Sequence, residues 1–301
     1  MRRTPIDDPF GPVLQRVEAL GVYYHMQLPP LLRWTAEPEA RLNAVEDEDA
    51  LVVEVEVGGA VRLQRPLGPR GLSLLRHVYR ERVEAGGVLV CGLEPAEWSD
   101  FQTWLGRPLT KSEDALEQAD VGGYDPELKG GKFKDIRHYI HHYEQRGGTI
   151  VPYDPGTHAK AAVLLHEDWM SRRKAPAAAY IRRLLEDPPR DPRVTTLVGV
   201  REGAIRAVGA SLRLGRYGYM VYLISAADAK YAGTVVDHQL ICGLLERGVT
   251  RLDWGVSARK SLTKYKEQFA PLRRTPVYTS WCPKGLSPAG PSRPDVGSEA
   301  A

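Results

Sequence analysis

Val194–Ser225 reads VTTLVGVREGAIRAVGASLRLGRYGYMVYLIS, three β-rich runs separated by two turn signals. Glu202-Gly203 and the stretch from Gly215 to Gly218 supply the turns, so Val194–Arg201, Ile205–Leu214 and Tyr219–Ser225 are expected as three consecutive strands. Upstream, Thr157–Arg173 and Ala177–Asp187 have helical character, and the Pro-rich break Pro188–Pro192 separates them from the strands. Downstream, a helix is expected from about Lys230 to Arg247, stopped by Gly248. A short strand at Arg251–Trp254, a helix at Ser257–Phe269 capped by Ser257 and a last strand near Pro276–Trp281 follow. Pro283–Ala301, rich in Pro, Gly, Ser and Ala, is expected to be a disordered tail.

The first half carries a looser version of the same pattern. Pro12–Leu20 reads as a helix. In Leu51–Val57, Val53, Val55 and Val57 alternate with Glu54 and Glu56, and Gly58-Gly59 turns the chain towards Val61 and Leu63, which predicts a half-exposed hairpin. Leu72–Glu84 is expected as a helix, Gly87–Cys91 as a short buried strand, and Pro95–Leu105 as a helix with Trp98, Phe101 and Trp104 at helical spacing. Helix, helix, meander, helix, strand, helix, strand in the second half resembles the order of the GNAT acyltransferase fold. The expected class is α+β, two GNAT-like domains in tandem with mixed sheets flanked by helices. The division is residues 1–128, a basic linker helix 129–148, a catalytic domain 149–282 and the tail 283–301.

Length and composition agree with two soluble domains: 301 residues, 43% hydrophobic and 26% charged, exclude collagen-like, coiled-coil and wholly disordered chains. No apolar run is long enough to span a membrane, and Met1 to Asp8 places charges where a signal peptide needs an apolar core, so a cytoplasmic protein is expected. Cys91, Cys242 and Cys282 have no Cys-x-x-Cys spacing and are expected as buried thiols rather than disulfides or a zinc ribbon. The net charge of +3 is unevenly spread. Lys129–Arg146 holds five basic residues against two acidic, Ser257–Arg274 six against one, and the rest of the chain is left at −5. That concentration predicts a local anion site.

In Gly130–Gly148, Phe133, Ile136, Ile140 and Tyr143 form one apolar stripe, and Lys134, Arg137, His138 and His141 occupy the other side. A solvated interdomain helix and an anion-binding helix both fit that pattern. His138, His141 and His142 lack the further ligands that a metal site needs, so no metal is expected. In Arg251–Phe269, Ala258, Leu262, Tyr265 and Phe269 form the expected buried stripe, with Lys266 at its edge, where the stem can be covered while the ammonium reaches a cleft. Such a lysine can stabilise an oxyanion, bind a phosphate or simply face water.

The same segments carry a family resemblance. Leu128-Lys129-Gly130-Gly131-Lys132-Phe133-Lys134, followed by Arg137 and Ile140, resembles a linker motif in the C-terminal domain of lysyl-phosphatidylglycerol synthases and their soluble relatives. Ala227-Asp228, Tyr231 and Gly233 resemble the motif before that family's penultimate long helix. Gly248, Asp253-Trp254-Gly255 and Lys264-Tyr265-Lys266 resemble the ending found there and in Fem-type peptidyltransferases. The resemblance covers about residues 50–281 and implies transfer of an aminoacyl group from aminoacyl-tRNA to an amine or hydroxyl of a small metabolite, peptide or lipid. Within these 301 residues nothing resembles the membrane-embedded half of the lipid synthases, and the closing motif is altered. The glycine-rich pyrophosphate loop of acetyl-CoA enzymes is not found after Ser225, which disfavours coenzyme A, and no cofactor is expected.

Such a transfer needs positioning, oxyanion stabilisation and a hold on the tRNA end. Lys266 is expected at the oxyanion or donor phosphate, acting on turnover rather than on folding. Asp253 or Asp228 is expected to orient or deprotonate the acceptor, unless Asp253 only braces its turn, and Tyr222 to form a hydrogen-bonding wall. Lys132, Lys134, Arg137, His141, Lys264 and Tyr265 are expected to bind substrate, with the two basic segments forming one surface for a polyanionic donor. An acyl-CoA N-acyltransferase and a non-catalytic tandem module are the competing readings.

Overall fold

The computed structural model describes residues 1–8, 10–20, 39–173, 180–229, 231–257 and 259–288. From the N-terminus the elements are β1 (Arg2–Pro5), α1 (Pro12–Leu20), β2 (Arg41–Asp47), β3 (Ala50–Val57), β4 (Ala60–Leu63), α2 (Gly71–Val83), β5 (Val88–Leu93), α3 (Pro95–Leu105) and β6 (Ser112–Asp120). A 3₁₀ turn, Gly131–Phe133, leads into α4 (Lys134–Gln145), followed by β7 (Thr149–Pro152), α5 (Pro155–Arg173), α6 (Tyr180–Glu186), β8 (Val194–Arg201), β9 (Ala204–Leu214) and β10 (Tyr217–Ser225). The chain closes with α7 (Ala232–Glu246), β11 (Arg251–Val256), α8 (Lys260–Glu267) and β12 (Leu272–Cys282). Among the described residues no helix is long and apolar enough to cross a membrane.

Among the described residues two compact units result: residues 1–5, 39–114 and 276–288, and residues 6–20 and 115–275. They are not the contiguous segments expected from the sequence. The last strand pairs antiparallel with β5, from Tyr278 opposite Leu93 to Cys282 opposite Val88, and so completes the first unit. The basic helix α4 lies wholly inside the second. The N-terminal helix α1 also belongs to the second unit, where it buries Val13, Leu14 and Val17.

In the first unit the strand order is β1-β2-β3-β4-β5-β12. Helices α2 and α3 pack on this sheet through Leu75, Val78, Tyr79 and Phe101, with the Tyr79 and Phe101 rings edge to face at 5.3 Å. The start of α3 is set by Pro95 in its first turn and by Glu97, whose side chain accepts the Glu94 N–H at 2.8 Å. The expected half-exposed hairpin is instead covered on both sides: Val52, Val53, Glu54 and Val55 are all buried. Glu54 tolerates this because Arg82 donates to it at 2.8 Å, and Arg3 and Asn43 lie within 3.4 Å.

The second unit carries the expected order of helices, strands and helices, with strands arranged β6-β11-β10-β9-β8-β7. The meander pairs antiparallel throughout, and β10 runs parallel to β11. Gly248, at φ 80°, occupies the left-handed conformation that stops α7. The α4 stripe is buried as expected, Phe133 and Ile136 beside Leu252 and Phe269, and Tyr143 beside Val236. Of the three thiols only Cys282 is fully buried; Cys91 and Cys242 are half-buried, and all three are free.

Tyr143 is accommodated by a missing side chain. A Cβ on Gly148 would stand 2.5 Å from the Tyr143 ring, well inside contact distance. Gly148→Ala is therefore expected to push the ring from its site and to destabilise the fold by about 1–3 kcal/mol. Urea denaturation measures this, and an unchanged midpoint would contradict the packing described.

Candidate active site

Parallel pairing between β10 and β11 lasts three residues, Tyr217 with Arg251, Gly218 with Leu252 and Tyr219 with Asp253. Beyond them β10 shifts register against β9 between Met220 and Tyr222, and β11 shifts against β6 between Asp253 and Val256. The strands part there, and a cleft of about 560 Å³ opens in the second unit. Met220, Tyr222, Leu223 and Ser225 line it from β10, and Trp254 from β11. Gly233, Thr234 and Asp237 come from α7, Trp169 from α5, and Arg259, Ser261, Leu262, Tyr265 and Lys266 from α8 and its approach.

Asp237 is the acid of this cleft. It sits one turn into α7, between Val236 and His238, and is 2% exposed. Its Oδ2 accepts a hydrogen bond from the Tyr265 hydroxyl at 2.7 Å, while Oδ1 is buried and accepts none among the described residues. Burial raises its pKa to about 7, against the smaller opposing effects of Tyr265 and the Lys266 charge. Burial and the neighbouring carboxylate push the Tyr265 phenol well above its usual range, so it remains a donor. His238, the next residue, shares a 2.8 Å hydrogen bond with the Tyr124 hydroxyl and does not line the cleft.

Lys266 lies against the cleft, but its ammonium is turned inward. Nζ donates to Glu117 Oε2 at 2.8 Å and to the Trp254 carbonyl at 2.9 Å, with the Gly255 carbonyl at 3.5 Å. The side chains of Lys266 and Glu117 are 4% and 0% exposed, so the pair is buried. Burial lowers the lysine pKa, and Glu117 opposes that shift. Burial also acts to raise the pKa of Glu117, but donors from Lys266, Ser257 and Thr263 outweigh it and leave the group lowered.

Several expected site residues are redistributed. Lys266 and Tyr265 reach the cleft, as does Tyr222, whose phenol pKa burial raises. Asp253 is buried and raised well above the usual carboxylate range by desolvation; it accepts the Gly255 N–H at 2.6 Å and so braces the turn. Asp228 is not on the cleft: its carboxylate is exposed and ion-paired with Arg206 at 3.0 Å. Lys132, Lys134, Arg137, His141 and Lys264 are exposed and do not line it. Arg137 donates to the carbonyls of Leu128 and Gly130, a local fastening of the segment before α4.

The approach to α8 also departs from expectation. Arg259, not Ser257, stands at the N-cap, because the Ser257 hydroxyl is drawn to the buried Glu117. Leu262, expected in the buried stripe, is 41% exposed at the cleft, while Lys266 is the buried residue of the helix. Ala258 lies outside the described residues. Since Lys266 is neutralised by Glu117, it adds nothing to a cationic surface, and the two basic segments meet through their apolar faces in one core cluster.

Asp237 and Glu117 were not singled out in the sequence. The signal for Asp237 was faint, a lone acid between Val235-Val236 and Leu240-Ile241 in a stretch that also holds His238 and Gln239. Glu117 was hidden among the acids of Ser112–Asp120, a stretch that reads as a solvated segment but forms β6.

No family model matches the chain, and no curated protein does. Among solved structures it is similar to a conserved protein of unknown function from Bacteroides thetaiotaomicron VPI-5482, at 15% identity and a TM-score of 0.72, over 94% of this chain and 100% of that one. L-PGS from Bacillus licheniformis aligns at 15% identity and a TM-score of 0.64, over 92% and 93% of the two chains. FemX aligns at 11% identity and a TM-score of 0.63, over 92% and 97%. Identities this low speak for the fold alone, and the fold is the α+β tandem GNAT architecture.

Proposed function

We propose that this chain is an aminoacyltransferase that moves an aminoacyl group from aminoacyl-tRNA to a neutral amine or hydroxyl acceptor bound in the β10–β11 cleft. The observation that carries the reading is Asp237, a buried carboxyl whose pKa of about 7 lets it take a proton at neutral pH. The likeness in fold to L-PGS and FemX supports the same class. In this reaction the acceptor attacks the ester carbonyl and a new C–N or C–O bond forms. The ribose C–O bond breaks, and the acceptor's proton passes to Asp237 and then to the departing ribose oxygen. Tyr265 holds the carboxylate in place through Oδ2 and leaves Oδ1 for the acceptor. Tyr222 and Trp254 wall the cleft. Lys266 serves as a positioning residue that fastens α8 to Glu117 and to β11, which replaces its expected part as oxyanion donor.

Transfer of radiolabel from total aminoacyl-tRNA to acceptor extracts tests the reading. Product is expected with intact donor and lost after RNase treatment; transfer sustained by acyl-CoA instead would move the protein to the acyl-CoA-dependent class.

Asp237→Asn is expected to lower turnover about a hundredfold or more, and wild-type turnover to rise with pH through about 7 as the carboxyl loses its proton. Its stability effect has a defined sign. The folded chain keeps a proton that the unfolded chain releases near 3.8, so wild-type stability falls as pH rises from about 4 to 7. The Asn variant escapes that loss. It should exceed wild type by about 2–4 kcal/mol at pH 8 and match it near pH 4, measured by denaturant titration at both. A variant less stable than wild type at pH 8 would contradict the assigned burial.

Lys266→Met removes the buried cation from Glu117, leaving the Ser257 and Thr263 hydroxyls and Arg274 at 3.7 Å, and is expected to cost about 3–5 kcal/mol of stability at pH 7. Adding Glu117→Gln should recover part of the loss. A Lys266→Met protein that melts like wild type would return the lysine to a purely chemical role.

A further inference from the structure

A second cavity, of about 40 Å³, lies where α4, β8 and the first residues of α7 meet, and it shares no lining residue with the cleft. A water-sized atom needs roughly 10–15 Å³ of such space, so the cavity holds about three or four, the size of one tetrahedral oxyanion. His142, Tyr143 and Arg146 line it from α4, Arg201 from β8, and Asp228 and Tyr231 from the turn into α7.

Three independent features of this cavity point to an anion. Tyr143 is 2% exposed, yet its hydroxyl finds no hydrogen-bond partner among the described residues, although a buried hydroxyl without one is costly. Gly199 leaves room for it: a Cβ there would stand 3.0 Å from that oxygen. Arg201 Nε is likewise buried without a hydrogen bond, its ion-pair contact to Glu202 being 4.0 Å, and the one acid of the lining, Asp228, is already held by Arg206. The third feature is the start of α7, a fifteen-residue helix that reaches the cavity through Tyr231 and Ala232; the Ala232 N–H is taken by the Ala229 carbonyl, so what the helix end offers an anion is its dipole.

An aromatic group adjoins the cavity. The rings of Tyr139 and Tyr231 stack at 4.6 Å and 16°, the His142 ring stands edge-on to Tyr231 at 4.9 Å, and His138 adds a further ring at 6.2 Å. A phosphate-sized cationic hole beside stacked rings is the pairing that single-stranded nucleic acid uses, backbone in the one and base on the other.

We infer that this corner of the second unit is a nucleotide subsite, taking a phosphate of a single-stranded RNA segment between Tyr143, Arg146, Arg201 and the start of α7, with a neighbouring base against the His138–Tyr139–Tyr231 rings. It rests on the aminoacyl-tRNA reading for the identity of the nucleic acid and places a backbone contact away from the reacting ester.

The test is binding by the full chain, with no turnover involved. A fluorescein-labelled single-stranded RNA of twelve nucleotides ending in CCA is titrated at low salt with wild type, Tyr143→Phe, Arg201→Gln and Tyr139→Leu, and inorganic phosphate is added as competitor. Affinity is expected to fall about tenfold for Arg201→Gln and severalfold for Tyr143→Phe and Tyr139→Leu. Tyr143→Phe, which removes only an oxygen without a partner, should melt at or above the wild-type temperature in the absence of RNA. Inorganic phosphate should compete only at concentrations far above those of RNA.

Wild-type affinity in the Tyr143→Phe and Arg201→Gln variants would overturn the subsite, as would absence of RNA binding by wild type. Competition by phosphate as tight as RNA, with Tyr139→Leu unaffected, would overturn the nucleotide and leave a free-anion site. The two proposals fail separately. Weakened RNA binding in the variants together with RNase-insensitive transfer would sink the donor reading alone, and RNase-sensitive transfer with unaltered RNA binding by the variants would sink the subsite alone.

Discussion

Where β10 and β11 stop pairing after Tyr219 and Asp253, buried backbone groups lose the partners a continued ladder would supply. The substitutes come from side chains. Lys266 Nζ takes the carbonyl of Trp254, and the Asp253 carboxylate takes the N–H of Gly255. A lysine used in this way brings a positive charge into the interior, and Glu117 on β6 neutralises it. Ser257 and Thr263 then turn their hydroxyls to the same carboxylate, which fixes the approach to α8 and so one wall of the cleft.

Two buried carboxylates in the second unit respond in opposite ways. Glu117 and Asp237 both suffer desolvation. Glu117 has an ammonium and two hydroxyls pointed at it, and its pKa ends lowered; Asp237 has one phenol, and its pKa ends near 7. The cation that could have held Asp237 in its charged form is committed to Glu117. An acid able to exchange protons at neutral pH is thus a consequence of how the opened strands are supported. In the first unit Glu54 is buried as well, and Arg82 and Arg3 supply its partners.

Much of the fold was legible because its signals are local. Pro95 at a helix start, Gly248 at a helix end, the turns at Glu202-Gly203 and Gly215 to Gly218, and the stripe Phe133, Ile136, Ile140, Tyr143 act over a few residues, and each appears where the sequence puts it. The elements missed, β1, β2, β6 and β7, are carried by segments rich in charge or very short, whose strand state is set by neighbours they pair with. The first unit's sheet includes a strand from the far C-terminus, and no local pattern in Leu272–Cys282 names β5 as its partner.

The candidate site divides along the same line. The sequence by itself put Tyr222 on a strand and Tyr265 and Lys266 in and beside the stripe of one helix, and the family resemblance implied a cleft, which all three residues line. It could not determine their chemistry. Asp228 and Asp237 lie nine positions apart and are the same residue type, yet one is an exposed partner of Arg206 and the other the buried acid of the cleft. Lys264 and Lys266 differ by two positions, and the turn of α8 sends one to solvent and the other to Glu117. Protonation and charge depend on which groups end within about 3 Å and how much water remains, and those distances join residues as far apart in sequence as 117 and 266. Tertiary structure alone decided them.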